Sequence, residues 1–378
     1  RALRRQKIRA LALIAPLLLF VLITFIVPIG LMLFRSVENE IVQNTLPLTV
    51  PVLSEWDAST GNIPGPEVFE AMYFDMFIAA EAKRHTRLGT RLNYEQTGLS
   101  SLFRQSGRAL DDMGKAIQKP LEAQDKAWKD GETWYEILNA AQGNADTALM
   151  ASQRARVARL TDTPASGTVN FAPNAELSRL LPKTMREYSA WAVYVATQDN
   201  RDPAKRDPWE SVPVALAADL RTADLTSYSG PGADLLRAAQ SADLPKTDFT
   251  AAMIEVDDEW GDLLPWRIIQ THSGTYTSGY FLNAVDAQKT PDGVAWQPED
   301  RQILVKLFGR TVWMSLLITA SCIALGYPIA WLLANLPMRK ANLLLILVLL
   351  PFWTSLLVRT SAWKVMLQQQ GVINDVLV

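Results

Sequence analysis

The sequence predicts a mainly α-helical membrane protein, with three transmembrane helices and a mostly helical extracytoplasmic domain. Three observations predict it. Residues 10–34, 311–336 and 341–358 form apolar runs without a single charged side chain. Each run, at about 1.5 Å per helical residue, is long enough to cross a hydrocarbon core of roughly 30 Å. The third observation is charge. Of 37 basic and 39 acidic residues, 13 basic and one acidic fall within 1–35 and 301–378, which leaves 24 and 38 in 36–300, a net of −14. Such an acidic stretch argues against a nucleic-acid face, which needs clustered Lys and Arg.

Taken in order, the chain opens on a basic segment (residues 1–9) that runs into the first apolar run. Short Lys/Arg clusters stay on the cytoplasmic side, so the first helix runs outward. The run is 25 residues long and no A-x-A-like cleavage site follows, which favours an uncleaved helix over a signal peptide. Residues 1–36 are thus read as a cytoplasmic tail plus first helix. Pro16 and Pro28 fall inside it, a pattern tolerated where neighbouring helices satisfy the freed carbonyls.

Residues 37–300 are read as the outer domain. Helical periodicity covers 67–91, 99–119, 121–141, 145–159, 175–197 and 211–220, and short strands are expected near 167–171 and 275–282. Trp56, Trp128, Trp134, Trp191, Trp209, Trp260, Trp266 and Trp296 are expected in its core. No fixed-period repeat is evident. The acidic run Glu255–Glu259 reads either as a solvated helix end or as an attractor of cations beside Trp260 and Trp266. His85 and His272 lack ligand spacing, and the only cysteine, Cys322, lies in an apolar run, so neither a metal site nor an internal disulfide is predicted. No P-loop, G-x-S-x-G, H-E-x-x-H or EF-hand pattern occurs, so no catalytic residue or cofactor is assigned.

Residues 301–378 hold the second and third helices and the start of an outer segment. In the second, Ser315, Thr319, Cys322 and Gly326 recur at four, three and four residues, which sets small side chains on one packing face. Pro328 is expected to kink it. Arg339 and Lys340 mark a short cytoplasmic turn. The third run changes character at Pro351, with Trp353, Thr354, Ser355 and Arg359 following. These four are candidates for a translocation path, although Arg359 reads first as a side chain snorkelling to the outer interface.

These segments carry a resemblance. The stretch 11–37, together with LGYPIAWLLA (325–334), PFWTSLLVRTSAW (351–363) and GVIN (371–374), resembles permeases of binding-protein-dependent type 1 ABC importers, in their spermidine/putrescine branch. The resemblance covers about 100 residues. It implies a bacterial inner-membrane, multi-pass transport subunit without its own ATPase site. Its implied partners are a second permease subunit, a cytoplasmic ATPase dimer, a periplasmic solute-binding protein and membrane lipid. Residues 37–300 would then be periplasmic. The family's Glu-Ala-Ala coupling loop is absent, so the chain is expected to be part of a longer permease. A membrane-anchored sensor with a helical outer domain is the alternative, opposed by the few residues between the second and third runs. A tethered periplasmic enzyme has no catalytic constellation behind it.

Overall fold

The computed structural model describes residues 14–368, apart from 142, 243 and 354. The chain divides into two units, Arg1–Gln297 and Pro298–Val378. Among the described residues, helices are the main regular element of both.

In the first unit, helix Ile14–Arg35 carries the first apolar run, with mean hydropathy 2.9 and no buried residue in that window. A π-helical stretch, Leu22–Ile26, interrupts it just before Pro28. The proline ring would collide with the carbonyl one turn earlier, and local widening of the helix relieves that collision. The chain then enters the long acidic region, where the predicted helices form with shifted ends. Helix Ser211–Leu220 has the expected bounds. The stretch 67–91 is two helices, Pro66–Glu81 and His85–Asn93, parted at Lys83, whose φ is 55°. The boundary expected near residue 120 is absent. Helix Leu99–Gln124 runs through Pro120, because buried Leu121 and Ile117 hold its last turns against the core. Conversely, 175–197 splits into Ala175–Leu180 and Pro182–Thr197. Proline disfavours the helical region for the residue before it, and Leu181 sits at φ −129°, ψ 63°.

The strands fall elsewhere than expected. Residues 167–171 form none, and in 275–282 only Tyr276 makes a bridge, to Glu38, before helix Gly279–Asn283 begins. The sheet is a hairpin, Ala287–Thr290 against Gly293–Trp296, antiparallel with Ala287 opposite Trp296. The Pro291-Asp292 turn before Gly293, whose φ is 126°, is the hairpin signal that periodicity alone overlooked.

A degenerate internal repeat organises this unit. Leu46-Pro47-Leu48-Thr49 recurs as Leu181-Pro182-Lys183-Thr184, and Leu46 repeats the pre-proline conformation at φ −121°, ψ 52°. In the first copy Asp75 accepts bonds from the Thr49 amide and hydroxyl, each 2.8 Å. In the second, Asp219 accepts from the Thr184 amide and hydroxyl, each 2.7 Å. A second motif, D-x-x-W-x-D-x-x-x-W, occupies 125–134 and again 257–266. Asp125 and Asp257 each cap a 3-10 turn, and the second indole donates to the carbonyl of the first tryptophan, Trp134 to Trp128 at 2.9 Å and Trp266 to Trp260 at 3.0 Å. Spacing between the motifs differs between copies, which hides the repeat from a fixed-period search.

The copies exchange ends. The Asn39 amide donates to the Thr275 carbonyl and the Thr277 amide to Val37, both at 2.8 Å. The Asn174 amide donates to Leu138 at 3.1 Å and the Ala140 amide to Ala172 at 2.7 Å. One core accordingly holds Val42, Leu46 and Phe69 around Trp260 and Trp266, while the other holds Leu177, Leu181 and Tyr188 around Trp128 and Trp134. Trp191 is buried, and Trp56 and Trp209 are partly buried against these cores. Trp296 departs from expectation, being 71% exposed.

In the second unit, helix Leu304–Asn335 is 32 residues long with mean hydropathy 1.9. It continues through Pro328. It ends where Leu336 turns extended before Pro337, as the sequence indicates. The third run is not one continuous helix. Helix Met338–Leu349 passes into a 3-10 turn, Leu350–Trp353, and a new helix, Leu356–Leu367, starts after Ser355. Pro351 lacks the amide needed to extend the α-helical ladder. Two described helices, Ile14–Arg35 and Leu304–Asn335, are therefore long and apolar enough to cross a membrane.

Candidate functional site

Helix Leu304–Asn335 has its apolar side chains exposed along its length. Side chains of such composition are stable when lipid or other helices surround them. Thr319, Cys322 and Gly326 line a shallow depression flanked by Ile318 and Tyr327, and Ser315 continues the same face one turn earlier. Cys322 is a free, exposed thiol. With small side chains at these four positions, a neighbouring helix can approach closely between the larger flanking ones and gain dispersion contacts.

Of the path candidates, Thr354 and the Trp353 side chain lie outside the described residues. Ser355 stands at the N-cap of helix Leu356–Leu367, without a side-chain cap bond. The Arg359 amide donates back to the Ser355 carbonyl at 3.1 Å, and its guanidinium lies 6.0 Å from the Phe352 ring centroid. Arg359 thus meets Ser355 through its backbone and Phe352 of the 3-10 turn through its side chain.

The helical region between residues 36 and 297 holds polar groups that sequence reading missed. Asp75 is fully buried and also accepts from the Leu48 amide at 2.8 Å. Arg156, from helix Thr147–Thr161, reaches Asp75 at 3.2 Å and Glu187 at 3.4 Å, and Arg186 meets the same Glu187 oxygen at 2.7 Å. Arg156 thereby ties the first copy to the second through charges taken out of water. Burial raises the Asp75 pKa to about 6, against the opposing pull of Arg156 and the Thr49 donors. Because about 6 lies above the ordinary 3.8, folded Asp75 keeps a proton that the unfolded chain has lost between those values. Stability relative to an Asp75→Asn chain should therefore be greatest below about pH 4 and fall as pH rises to about 6. Denaturant midpoints of the two proteins across that range check this, and a constant difference would refute the assignment.

A second cluster lies where the chain leaves the first helix. Arg91 pairs with Glu95 at 2.7 Å and stacks over the Tyr280 ring at 5.1 Å. Buried His272 approaches Glu95 at 3.9 Å, and burial lowers its pKa. The Asn39 side chain donates to the His272 carbonyl at 2.6 Å. Beside this cluster opens a cleft of about 460 Å³ between Glu38, Glu40, Arg87, Arg91, Tyr94 and Tyr280. The acidic run resolves as helix-end chemistry. Asp257 caps the turn Asp258–Gly261, Trp260 is buried, and Asp258 and Glu259 face solvent. Among the described residues no group of three His, Cys, Asp or Glu is placed to hold a metal ion.

Known proteins match one short stretch. Over 64 residues, 17% of this chain and 22% of the relative, the chain is 47% identical to the spermidine/putrescine transport system permease protein PotB of Salmonella typhimurium LT2. The protein of the same name from Escherichia coli K12 is 45% identical over 64 residues, 17% of this chain and 23% of its own. That of Haemophilus influenzae is 38% identical over 76 residues, 19% of this chain and 27% of its own. The chain thus spans about a quarter of the length of these curated relatives, or less. A stretch of the chain is related to permeases of polyamine transport systems. No family model matches, and no solved structure matches.

Proposed function

We propose that the chain is a permease subunit of an ABC importer that moves a polyamine, of the spermidine/putrescine kind, across the bacterial inner membrane. The 47% identity to a spermidine/putrescine permease over 64 residues carries this reading. It is supported by the charge-free run in helix Leu304–Asn335, whose face of small residues suits close packing in a helix bundle. In this reading a second permease subunit packs beside the chain, a cytoplasmic ATPase dimer hydrolyses the nucleotide, and a periplasmic solute-binding protein delivers the solute. Transport then proceeds by rocking of the bundle about a central path. Trp353, Thr354, Ser355 and Arg359 are assigned to that path, and 37–300 is the periplasmic domain, with the N-terminus cytoplasmic. The break at Pro351 fits a path role, since irregular backbone at membrane depth is stable where it lines a cavity or is packed by protein.

Disrupting the gene in its host should abolish uptake of radiolabelled spermidine, and restoring the wild-type gene should return it. Alanine at Ser355 or Arg359 should lower the transport rate. Unchanged uptake in the disrupted strain would overturn the assignment of function, and unchanged uptake in both variants the assignment of the path.

A further inference from the structure

Within the outer domain the apolar surface is unevenly distributed. Between residues 36 and 297 eight large apolar or aromatic side chains are exposed among the described residues, and six of them, Tyr276, Tyr280, Phe281, Val285, Val294 and Trp296, fall in a segment of 21 residues. Trp296 and Val294 are 71% and 66% exposed, and their spacing of two puts them on one face of their strand. A soluble surface rarely concentrates apolar groups this way unless something covers them.

Geometry says where the segment sits. The Tyr276 ring meets Phe34 edge-on at 6.3 Å, and Phe34 is the last apolar residue of helix Ile14–Arg35. The bridge between Glu38 and Tyr276 fixes that contact. Helix Gly279–Asn283 and the hairpin form one piece with it, since Gln297 donates to the Asp286 carbonyl at 2.8 Å and to the Asn283 side chain at 2.9 Å. In sequence, Trp296 is followed within eight residues by Leu304, where the next apolar helix starts. Tyr and Trp prefer the headgroup level, where an apolar ring and a polar edge are both satisfied.

We propose that residues 276–296 lie in the outer lipid–water interface, with Phe281, Val294 and Trp296 seated among the headgroups, so that the domain is clamped to the bilayer where the first helix leaves it. This rests on the reading that Ile14–Arg35 spans the membrane. The occupant is lipid rather than protein because the segment is continuous with the exit of an apolar helix and presents interfacial residue types.

The test uses the full chain reconstituted in bilayers, with Cys322→Ser as background and single nitroxide labels at Val294→Cys, Leu18→Cys and Ser166→Cys. Collision rates with oxygen, which partitions into lipid, are compared with those of a polar nickel chelate. The proposal predicts several-fold preference for oxygen at Leu18, a smaller preference for oxygen at Val294, and the reverse at Ser166. Preference for nickel at Val294 would overturn it, as would exclusion of both probes there, which is the signature of a covering protein. A Leu18 label in water would overturn the spanning reading and this proposal together, whereas lipid at Leu18 and water at Val294 would overturn this proposal alone.

Discussion

Replacing Arg156 with alanine should destabilise the helical domain that holds it by about 3–5 kcal/mol, among the larger effects any single substitution in it should show. Arg156 is nearly inaccessible, as are its partners Asp75 and Glu187. Its removal leaves two carboxylates in a low-dielectric interior with less compensating charge. Asp75 retains the Leu48 and Thr49 donors, and Glu187 retains Arg186, so the loss is bounded. In the purified chain the thermal midpoint should fall by roughly 10 °C, given about 2–4 °C per kcal/mol for a domain of this size. The triple variant Arg156→Met, Asp75→Asn, Glu187→Gln should recover much of the loss, because a neutral arrangement removes the stranded charge. A midpoint unchanged in Arg156→Ala would show that the charges are hydrated.

The second large effect concerns the paired tryptophans. Trp134→Ala and Trp266→Ala should each cost about 3–5 kcal/mol, the range for emptying a large aromatic site in a core. Both rings are fully buried, and both donate to the carbonyl of the tryptophan six residues earlier. Trp266 also packs edge-on against Phe69 at 4.6 Å, while Trp134 packs against Trp128 at 4.7 Å. Similar losses at the two positions follow from their equivalent places in the repeat. Trp296→Ala, by contrast, should change stability by no more than about 0.5 kcal/mol in detergent, since that side chain is exposed. Denaturant titrations of the three variants provide the check. A large loss at only one of Trp134 and Trp266 would break the equivalence.

What the sequence makes legible is local. Two of the charge-free runs mark helices long and apolar enough to cross a membrane, Leu336 before Pro337 marks a helix end, and helix Ser211–Leu220 shows its bounds through periodicity. Proline is ambiguous in a sequence because its effect depends on packing. Pro182 ends a helix, whereas Pro120 and Pro328 are carried within one. The repeat is a matter of motif pairs at unequal spacing, recognisable once Asp75 and Asp219 are seen making the same bonds to Thr49 and Thr184. The Arg156 bridge joins residues 81 and 31 positions apart, and no local pattern announces it. Trp296 is chemically like the core tryptophans, and its exposure follows from its place on a two-stranded hairpin with no covering layer. The path candidates rest on resemblance to known permeases. To this the structure adds the break after Leu349, which sets Ser355 at the head of a new helix.

The proposed place of this chain in a polyamine importer is tested by initial rates of radiolabelled spermidine uptake in host cells with the gene disrupted and then restored. Energised uptake should disappear on disruption, return with the wild-type gene, and be competed by unlabelled putrescine. Spermidine uptake that continues at the wild-type rate without the gene would contradict it.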